Sequence, residues 1–216
     1  MNILIVDDHA LIREGVRRVL EGRMPNCFVA DVASGPEALA LLGQQPFDLV
    51  IVDLAMPHMN GLQFAQRARR EFPQLQMLLL SLHAEEQYAL RAFKAGVNGY
   101  ITKDCTPEEL TSAVRKVGGG GQYVSGGLAE RMVLHLNRGV EPLPHARLSD
   151  REFDIMCRLV SGQRIAEIAD ALHISAKTVS THKSRILDRL QLPNTAALIR
   201  YGILHRLATE SAWMES

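Results

Sequence analysis

Residues 49–57 read Leu-Val-Ile-Val-Asp-Leu-Ala-Met-Pro, and this stretch decides the fold of the first half of the chain. Its first four residues are apolar and mostly β-branched, which is typical of a strand buried on both faces of a parallel sheet. The strand ends on Asp53, where a loop that contains a proline begins. Because α/β sheets bind ligands at the carboxyl ends of their strands, Asp53 is either a binding residue or an aspartate that merely starts a turn.

Three further apolar runs end on side chains that can bind ions or react. These side chains are the pair Asp7 and Asp8, the hydroxyl of Ser81 and the ammonium of Lys103. In a parallel sheet the carboxyl ends of the strands lie on one side, so we expect all of them to converge on Asp53. Clustered carboxylates repel each other unless a cation sits among them, and hard oxygen ligands suit Mg²⁺. With a lysine and a hydroxyl opposite, such a carboxylate is equipped to accept and hold a phosphoryl group.

Strand-like runs alternate with amphipathic helical patterns five times over residues 1–120. This alternation predicts an α/β domain with a flavodoxin-like, doubly wound, five-stranded parallel sheet. Four consecutive glycines, residues 118–121, end the pattern because such a run cannot hold a helix. We expect a linker over residues 121–147, within which residues 127–137 fit one short amphipathic helix.

The composition is ordinary for a soluble protein and shows no strong charge. The chain has 216 residues with 24 Lys and Arg against 24 Asp and Glu, so its charge alone does not indicate a nucleic-acid partner. Cys27, Cys105 and Cys157 are scattered without metal-ligand spacing and indicate reduced thiols. No signal peptide is apparent, and no apolar run approaches the ~18–20 residues needed to span a bilayer. We therefore expect a cytoplasmic protein of two domains.

Beyond Leu148 the signals are helical, which predicts a small all-α domain of four helices over residues 148–208 and a tail at residues 209–216. Ser149 and Glu152 have the spacing of a capping box at the start of its first helix. A short helix, a tight turn and a third helix that begins near Ser175 follow. This order is typical of a helix-turn-helix motif.

The third helix of this domain carries the signal for DNA binding. Val179, Ile186 and Leu190 take its buried stripe, whereas hydroxyl-bearing and basic side chains fall largely outside the stripe. These polar residues are Lys177, Thr178, Ser180, Thr181, Lys183, Ser184 and Arg185. Hydroxyls beside Lys and Arg suit insertion into a DNA groove with contacts to phosphates. An ordinary solvent-exposed helix in a small bundle would show the same pattern, so both interpretations stay open at this point.

With both halves considered, the chain resembles a two-component response regulator of the NarL/FixJ class, in which a receiver domain precedes a LuxR-type DNA-binding domain. The resemblance covers nearly the full length and rests on short motifs in a fixed order. In the first half these are residues 6–9 (Val-Asp-Asp-His), residues 52–57 with Gly61, residues 80–81 and residues 99–104. In the second half they are residues 148–152, 165–169 and 175–182.

The resemblance implies a role for each acidic residue of the first half. Asp53 would be the phosphoacceptor, taking its phosphoryl group from the phosphohistidine of a sensor histidine kinase. Asp8, Asp53 and the backbone carbonyl of Ala55 would bind Mg²⁺, and Asp7 would act on the ion largely through water. Ala55 departs from the commonest pattern because it offers no side chain that could orient a water molecule near the acceptor.

The same resemblance implies a switch on the neighbouring strands. Lys103 would pair with the phosphoryl oxygens, and Ser81 would move to hydrogen-bond one of them. Tyr100 would be the switch aromatic, whose rotamer follows Ser81. A half-buried aromatic on a strand is the competing interpretation of Tyr100.

The implied function is a phosphorylation-dependent transcription regulator that binds promoter DNA as a homodimer and has no membrane contact. Its last helix would form the dimer through the stripe Ala197, Leu198, Tyr201 and Leu204, although a stripe that faces the core would look identical. Self-catalysed phosphotransfer to Asp53 and slow autodephosphorylation are the only reactions expected, so the protein would not be an enzyme.

Two other functions compete with this one. A receiver-based regulator could signal through protein contacts with little DNA binding, because the helical domain is only weakly basic. A Mg²⁺-dependent phosphatase that resembles the haloacid dehalogenase fold would also form an aspartyl phosphate. That chemistry needs a second acid two residues after the nucleophile, where this chain has Ala55.

Overall fold

The computed structural model describes residues 1–81, 86–137, 143–205 and 207. The chain divides into two compact units, Met1–Val133 and Leu134–Ser216. The predicted tail at residues 209–216 lies outside the described residues. Among the described residues, no helix is both long and apolar enough to cross a membrane.

The first unit alternates strands and helices as the sequence predicts. Its strands are β1 (Asn2–Val6), β2 (Phe28–Val32), β3 (Leu49–Asp53), β4 (Gln76–Ser81), β5 (Gly99–Thr102) and β6 (Tyr123–Val124). Its helices are α1 (Ala10–Arg23), α2 (Gly35–Leu42), α3 (Gly61–Glu71), α4 (Glu86–Lys94) and α5 (Pro107–Gly118), and α6 (Gly126–Asn137) follows β6. The strands form one sheet in the order β2-β1-β3-β4-β5-β6, and every pairing is parallel.

The predicted fold class is confirmed, but the predicted number of five strands is wrong because the sheet has six strands among the described residues. The sixth strand, β6, is a two-residue extension inside the stretch that the sequence assigned to a linker. It pairs with β5 through the register Gly99 with Tyr123, and the Tyr123 backbone N–H donates to the Asn98 carbonyl at 3.1 Å. Two residues are too few to give a period-2 pattern, so the strand left no signal in the sequence.

The core explains why the central strands read as unbroken apolar runs. The residues of β3 are all buried, and so are four of the five residues of β1. Helices α1 and α5 pack together on one face of the sheet, where Leu20 and Val114 join the strand residues in a single apolar cluster. Helix α3 packs against both α2 and α4, and these three helices form a second group beside the α1 and α5 pair. A sheet covered in this way needs apolar residues on both faces of each central strand.

From residue 143 onward, the described part of the second unit is a bundle of four α-helices preceded by one turn of 3₁₀ helix at Pro144–Arg147. The helices are α7 (Asp150–Val160), α8 (Ile165–Ala171), α9 (Ala176–Leu190) and α10 (Thr195–Leu204). The predicted capping box at the start of α7 is confirmed, since the Glu152 N–H donates to Ser149 Oγ at 3.3 Å and Glu152 Oε2 accepts from the Ser149 N–H at 2.9 Å. Helix α7 packs on both α9 and α10.

Gly61 sets the position of the loop that follows Asp53. Its N–H donates to the Leu54 carbonyl at 2.9 Å, and Asn60 caps α3 by accepting from the Gln63 N–H at 2.9 Å. A Cβ atom on Gly61 would collide with the Asp53 carbonyl oxygen and would lie 3.0 Å from Leu54 Cα. Both of these are backbone atoms, so the collision could be relieved only if the loop moved away from the helix.

We therefore expect Gly61→Ala to destabilise the first unit by about 1–3 kcal/mol, the usual cost of overpacking. Urea unfolding followed by far-UV circular dichroism measures this change. Gly15→Ala is the matched control, because Gly15 lies inside α1 and an added Cβ would have no atom within 4 Å beyond its chain neighbours and the nearby backbone of its own helix. That variant should gain roughly 0.5–1 kcal/mol from helix propensity. Equal unfolding midpoints for the two variants would contradict the argument.

Candidate functional site

The carboxyl edge of the sheet carries a cluster of ionisable side chains. Strands β1, β3, β4 and β5 deliver Asp7 with Asp8, Asp53, Ser81 and Lys103 to this edge. Asp7, Asp53 and Ser81 are almost completely buried. The sequence predicts that these side chains meet because the carboxyl ends of parallel strands share one edge. In the structure these residues lie at that edge.

Lys103 joins the two buried carboxylates. Its Nζ lies 2.8 Å from Asp7 Oδ2 and 3.0 Å from Asp53 Oδ1, and its side chain is only 9% exposed. Burial by itself lowers the pKa of the Lys103 ammonium, but the carboxylates of Asp53 and Asp7 outweigh it and hold this pKa above its usual value. The lysine is therefore charged at neutral pH.

Burial makes the negative charge of Asp53 unfavourable. Burial raises its pKa, the negative charge of Asp7 raises it further, and Lys103 only partly opposes both effects. Its Oδ1 faces Lys103, whereas its buried Oδ2 accepts no hydrogen bond from any described residue. A buried carboxylate oxygen without a donor is destabilising unless a cation or another group binds it.

The cluster has the composition and spacing of a cation site. Asp7, Asp8, His9 and Asp53 each offer one ligand atom, and these atoms lie within 4.8 Å of one another. Three carboxylates with room for water suit a hard divalent cation such as Mg²⁺. Ala55, whose carbonyl the resemblance assigns to the ion, is an exposed residue of the loop that follows Asp53.

Hydrogen bonds from neighbouring elements fix the backbone around the cluster. The Leu54 N–H donates to the Leu80 carbonyl at 2.9 Å, and the Lys103 N–H donates to the Ser81 carbonyl at 2.7 Å. Arg13 of α1 donates from Nη1 to the Asp7 carbonyl at 2.7 Å and from Nε to Asp31 Oδ2 at 2.7 Å. Sequence analysis missed Arg13, and its position one turn into α1 is the only signal that could have suggested it.

Ser81 and Tyr100 lie next to the cluster on β4 and β5. Both side chains have no exposed surface. The competing interpretation described Tyr100 as half-buried, and this is wrong because its side chain is fully buried. Its role as a switch, and that of Ser81, stay predictions.

The helix-turn-helix prediction for the second unit agrees with the described helices. Helix α8 packs on α9, and the residue between them with a left-handed backbone is His173 (φ 50°). Ser175 caps α9 by accepting from the Thr178 N–H at 3.0 Å. The buried residues of α9 are Val179, Ile186 and Leu190, as the sequence predicts.

The opposite side of α9 presents the predicted DNA-contacting residues. Lys177, Thr178, Thr181, Ser184 and Arg185 are exposed, and Ser180 and Lys183 are half-buried. The exposed Thr181 hydroxyl donates to the Lys177 carbonyl of its own helix at 2.9 Å. Arg189, which was not predicted, lies 3.0 Å from Glu152 Oε2 and ties α9 to α7.

The stripe assigned to dimerisation lies mostly in the core of the second unit. Ala197 and Leu198 are buried, whereas Leu204 is 78% exposed. The Tyr201 hydroxyl is 2.7 Å from Nδ1 of the fully buried His145, so Tyr201 holds the 3₁₀ turn against α10. Only Leu204 of the four predicted residues presents a large free surface.

Two family models match the chain. One is described as "Response regulator receiver domain" and matches residues 3–115, and the other as "Bacterial regulatory proteins, luxR family" and matches residues 146–202. Response regulator UvrY of Escherichia coli (strain K12) is 32% identical over 211 residues, which are 96% of this chain and 95% of UvrY.

Solved structures agree with these matches. A LuxR-family two-component response regulator from Aurantimonas sp. SI85-9A1 is 32% identical, with a TM-score of 0.60, and covers 63% of this chain and 97% of its own. RcsB from Salmonella enterica serovar Typhimurium, solved bound to promoter rprA, has a TM-score of 0.63 over 93% of this chain and 98% of its own. At 24% identity RcsB shows the fold alone.

The first unit has a parallel sheet with an acidic edge, and the second has a helix-turn-helix motif. Together they place the chain in the class of two-domain regulators. The chain belongs to the response regulators, with a receiver domain and a LuxR-type DNA-binding domain, and it is a DNA-binding transcription regulator.

The raised pKa of Asp53 predicts how stability depends on pH when no divalent cation is present. A carboxyl with a raised pKa contributes stability that is complete below its unfolded-state pKa, near 3.8, and is lost as the pH rises through the folded-state pKa. Asp53→Asn removes this loss. In EDTA we therefore expect the variant to be more stable than the wild type at pH 7, with a difference that shrinks as the pH falls toward 3.8.

Thermal unfolding of both proteins between pH 4 and 8 tests this expectation. Asp104→Asn is the control, because Asp104 is an exposed aspartate of the same unit. Its effect should stay within about 0.5 kcal/mol at every pH. A variant Asp53→Asn that is less stable than the wild type at pH 7 in EDTA would show that burial does not dominate at this carboxyl.

Proposed function

We propose that the protein is switched by phosphorylation of Asp53 and that the phosphorylated form dimerises and binds promoter DNA. The observation that supports this most is the pairing of a buried, unpartnered Asp53 Oδ2 with a charged Lys103 on the other oxygen of the same carboxylate. This arrangement keeps a nucleophilic oxygen available and places a positive charge where a phosphoryl group would arrive.

The phosphoryl donor is the phosphohistidine of a sensor histidine kinase. An Asp53 carboxylate oxygen attacks the phosphorus, the bond from phosphorus to the histidine nitrogen breaks, and the departing imidazole takes up a proton. Lys103 then balances the negative charge of the phosphoryl oxygens. Slow hydrolysis of the aspartyl phosphate resets the protein, and we propose no other enzymatic reaction.

The cation that this site would hold is Mg²⁺, bound by Asp8, Asp53 and the Ala55 carbonyl, with Asp7 acting through water. Bound there, Mg²⁺ would neutralise charge on the phosphoryl oxygens. Without it, Asp7 and Asp53 share only Lys103. Ala55 also argues against a phosphatase, because no second acid stands where such an enzyme needs one to protonate the leaving group.

In this function, α9 binds DNA and α10 contacts a second copy of the chain. Exposed hydroxyls and cations on α9 suit a DNA groove, with Lys177, Lys183 and Arg185 contacting phosphates. The exposed end of α10, with Ile203 and Leu204, is the part of the last helix available to a second copy. The kinase, the promoter and the homodimer are the partners of this function, which takes place in the cytoplasm.

Phosphorylation is tested by incubating the full chain with Mg²⁺ and acetyl phosphate and then measuring its intact mass. The wild type should gain one phosphoryl group, because Asp53 has an unpartnered oxygen beside Lys103. Asp53→Asn should gain none. A gain in both proteins would show that another residue is the acceptor, and a wild type that gains nothing from acetyl phosphate or from a purified kinase would overturn the proposal.

DNA contacts are tested by fluorescence anisotropy with promoter-length duplexes at several salt concentrations. Lys177→Ala and Arg185→Ala should each weaken binding to all sequences and reduce the slope of log affinity against log salt by about 1, the loss of one phosphate contact. Arg70→Ala is the charge-matched control, because Arg70 is an exposed cation of the other unit. If the control reduced the slope as much as the α9 variants, α9 would not be the DNA-binding element.

A further inference from the structure

The histidine that follows the acidic pair faces the same cluster as the carboxylates. His9 Nδ1 lies 3.0 Å from Asp8 Oδ1 and 3.2 Å from Asp7 Oδ1. One ligand atom each from Asp7, Asp8, His9 and Asp53 lies within 4.8 Å of the others. Atoms on opposite sides of a metal ion with bonds of about 2.1 Å are about 4.2 Å apart, so one ion can contact this set after small side-chain adjustments.

The backbone of His9 is fixed, which fixes where its ring can reach. His9 is the N-cap of α1, and its carbonyl accepts from the N–H groups of Ile12 and Arg13 at 3.1 and 3.2 Å. Its own N–H donates to Asp7 Oδ1 at 2.8 Å. The side chain makes no hydrogen bond to the first turn of the helix, which is the usual task of a side chain at this position.

The ring is also open to ions from solvent, since the His9 side chain is 63% exposed. Its Nδ1 is within hydrogen-bonding distance of Asp7 Oδ1, whereas Asp8 Oδ1 is buried without a hydrogen-bond partner among the described residues. A second observation also indicates a cation site here. Asp53 Oδ2 is buried and accepts no hydrogen bond from any described residue. An imidazole nitrogen and an unpartnered buried carboxylate oxygen thus belong to one cluster.

We propose that His9 is a ligand of this cation site and makes it prefer borderline divalent ions, with Co²⁺ and Zn²⁺ favoured over Mg²⁺. Imidazole suits first-row transition ions and Zn²⁺, whereas Mg²⁺ prefers oxygen ligands and gives up its water reluctantly. The inference rests on the proposed cation site and concerns which ion fills it. His9 is therefore a specificity-determining residue, which lets a transition ion compete with Mg²⁺ at the carboxylate that accepts the phosphoryl group.

Titration calorimetry of the tag-free full chain with Co²⁺ and, separately, with Mg²⁺ tests the preference. His9→Asn removes the imidazole but keeps a residue that caps helices well. It should weaken Co²⁺ binding by at least about tenfold, because even an outer-sphere partner of a ligand is worth about 10–100-fold in metal affinity. Mg²⁺ binding should stay unchanged. His173→Asn is the control, since it also removes one exposed histidine and asparagine tolerates the left-handed backbone there.

Pulsed electron paramagnetic resonance of the Mn²⁺-loaded protein reports the ligand directly. A ¹⁴N coupling from imidazole should be present in the wild type and in His173→Asn, and it should be absent in His9→Asn. Equal Co²⁺ affinity in the wild type and His9→Asn, or no ¹⁴N coupling in the wild type, would overturn the inference.

Asp53→Asn separates this failure from a failure of the proposed function. If Mg²⁺ binds the wild type and Asp53→Asn weakens it, while His9→Asn leaves Co²⁺ binding intact, the cation site stands and only the role of His9 is wrong. If Asp53→Asn weakens neither ion, the ions do not bind at the proposed phosphoacceptor, and both the cation site and the role of His9 fall.

Discussion

The contact on which the first unit depends is the bridge from Lys103 to Asp7 and Asp53. Two carboxylates with almost no exposed surface lie at the ends of adjacent strands, and one ammonium group contacts both. Removing Lys103 would leave two buried carboxylates without their cation, which is far more costly than the net value of the bridge, whereas removing the charge of Asp53 leaves Lys103 paired with Asp7. The bridge is therefore weak evidence for a stabilising contact. Its buried charges indicate instead a site whose function requires them.

The residues of that site could be predicted because a parallel sheet fixes which ends of its strands meet. Once β1, β3, β4 and β5 were recognised as apolar runs, the side chains that follow them had to share one edge. The contact from Arg13 to the Asp7 carbonyl could not be predicted in this way, because it depends on how α1 packs against β1 and β2. The β6 strand was missed for the opposite reason, since two residues carry no periodic signal.

The second unit shows the same limit in a helix. The spacing of Ala197, Leu198, Tyr201 and Leu204 on α10 defines a stripe, but spacing cannot say whether a stripe faces its own core or a partner. The structure assigns Ala197 and Leu198 to the core and gives Tyr201 a buried partner in His145, a residue of the segment that the sequence treated as linker. The α9 pattern was easier to interpret, because its three apolar residues leave the polar residues only the solvent-facing side.

Charge balance at the strand ends links the acidic site to its neighbours in the sheet. With Asp7, Asp8 and Asp53 ionised and Lys103 protonated, the cluster carries two more negative than positive charges, which one divalent cation offsets. A phosphoryl group carries a charge of about −1.5 to −2 in place of the single charge of a carboxylate. Under the proposed phosphorylation, Lys103 would contact the phosphoryl oxygens as well as Asp7.

The backbone of Lys103 is tied to the end of β4. The Lys103 N–H donates to the Ser81 carbonyl at 2.7 Å, so the chain segments that carry the ammonium and the Ser81 hydroxyl are held together. Ser81 and Tyr100 are both fully buried in this close-packed region, where a displaced side chain must push its neighbours. The proposed change of charge at Asp53 would therefore act beside two fully buried side chains at the adjoining ends of β4 and β5.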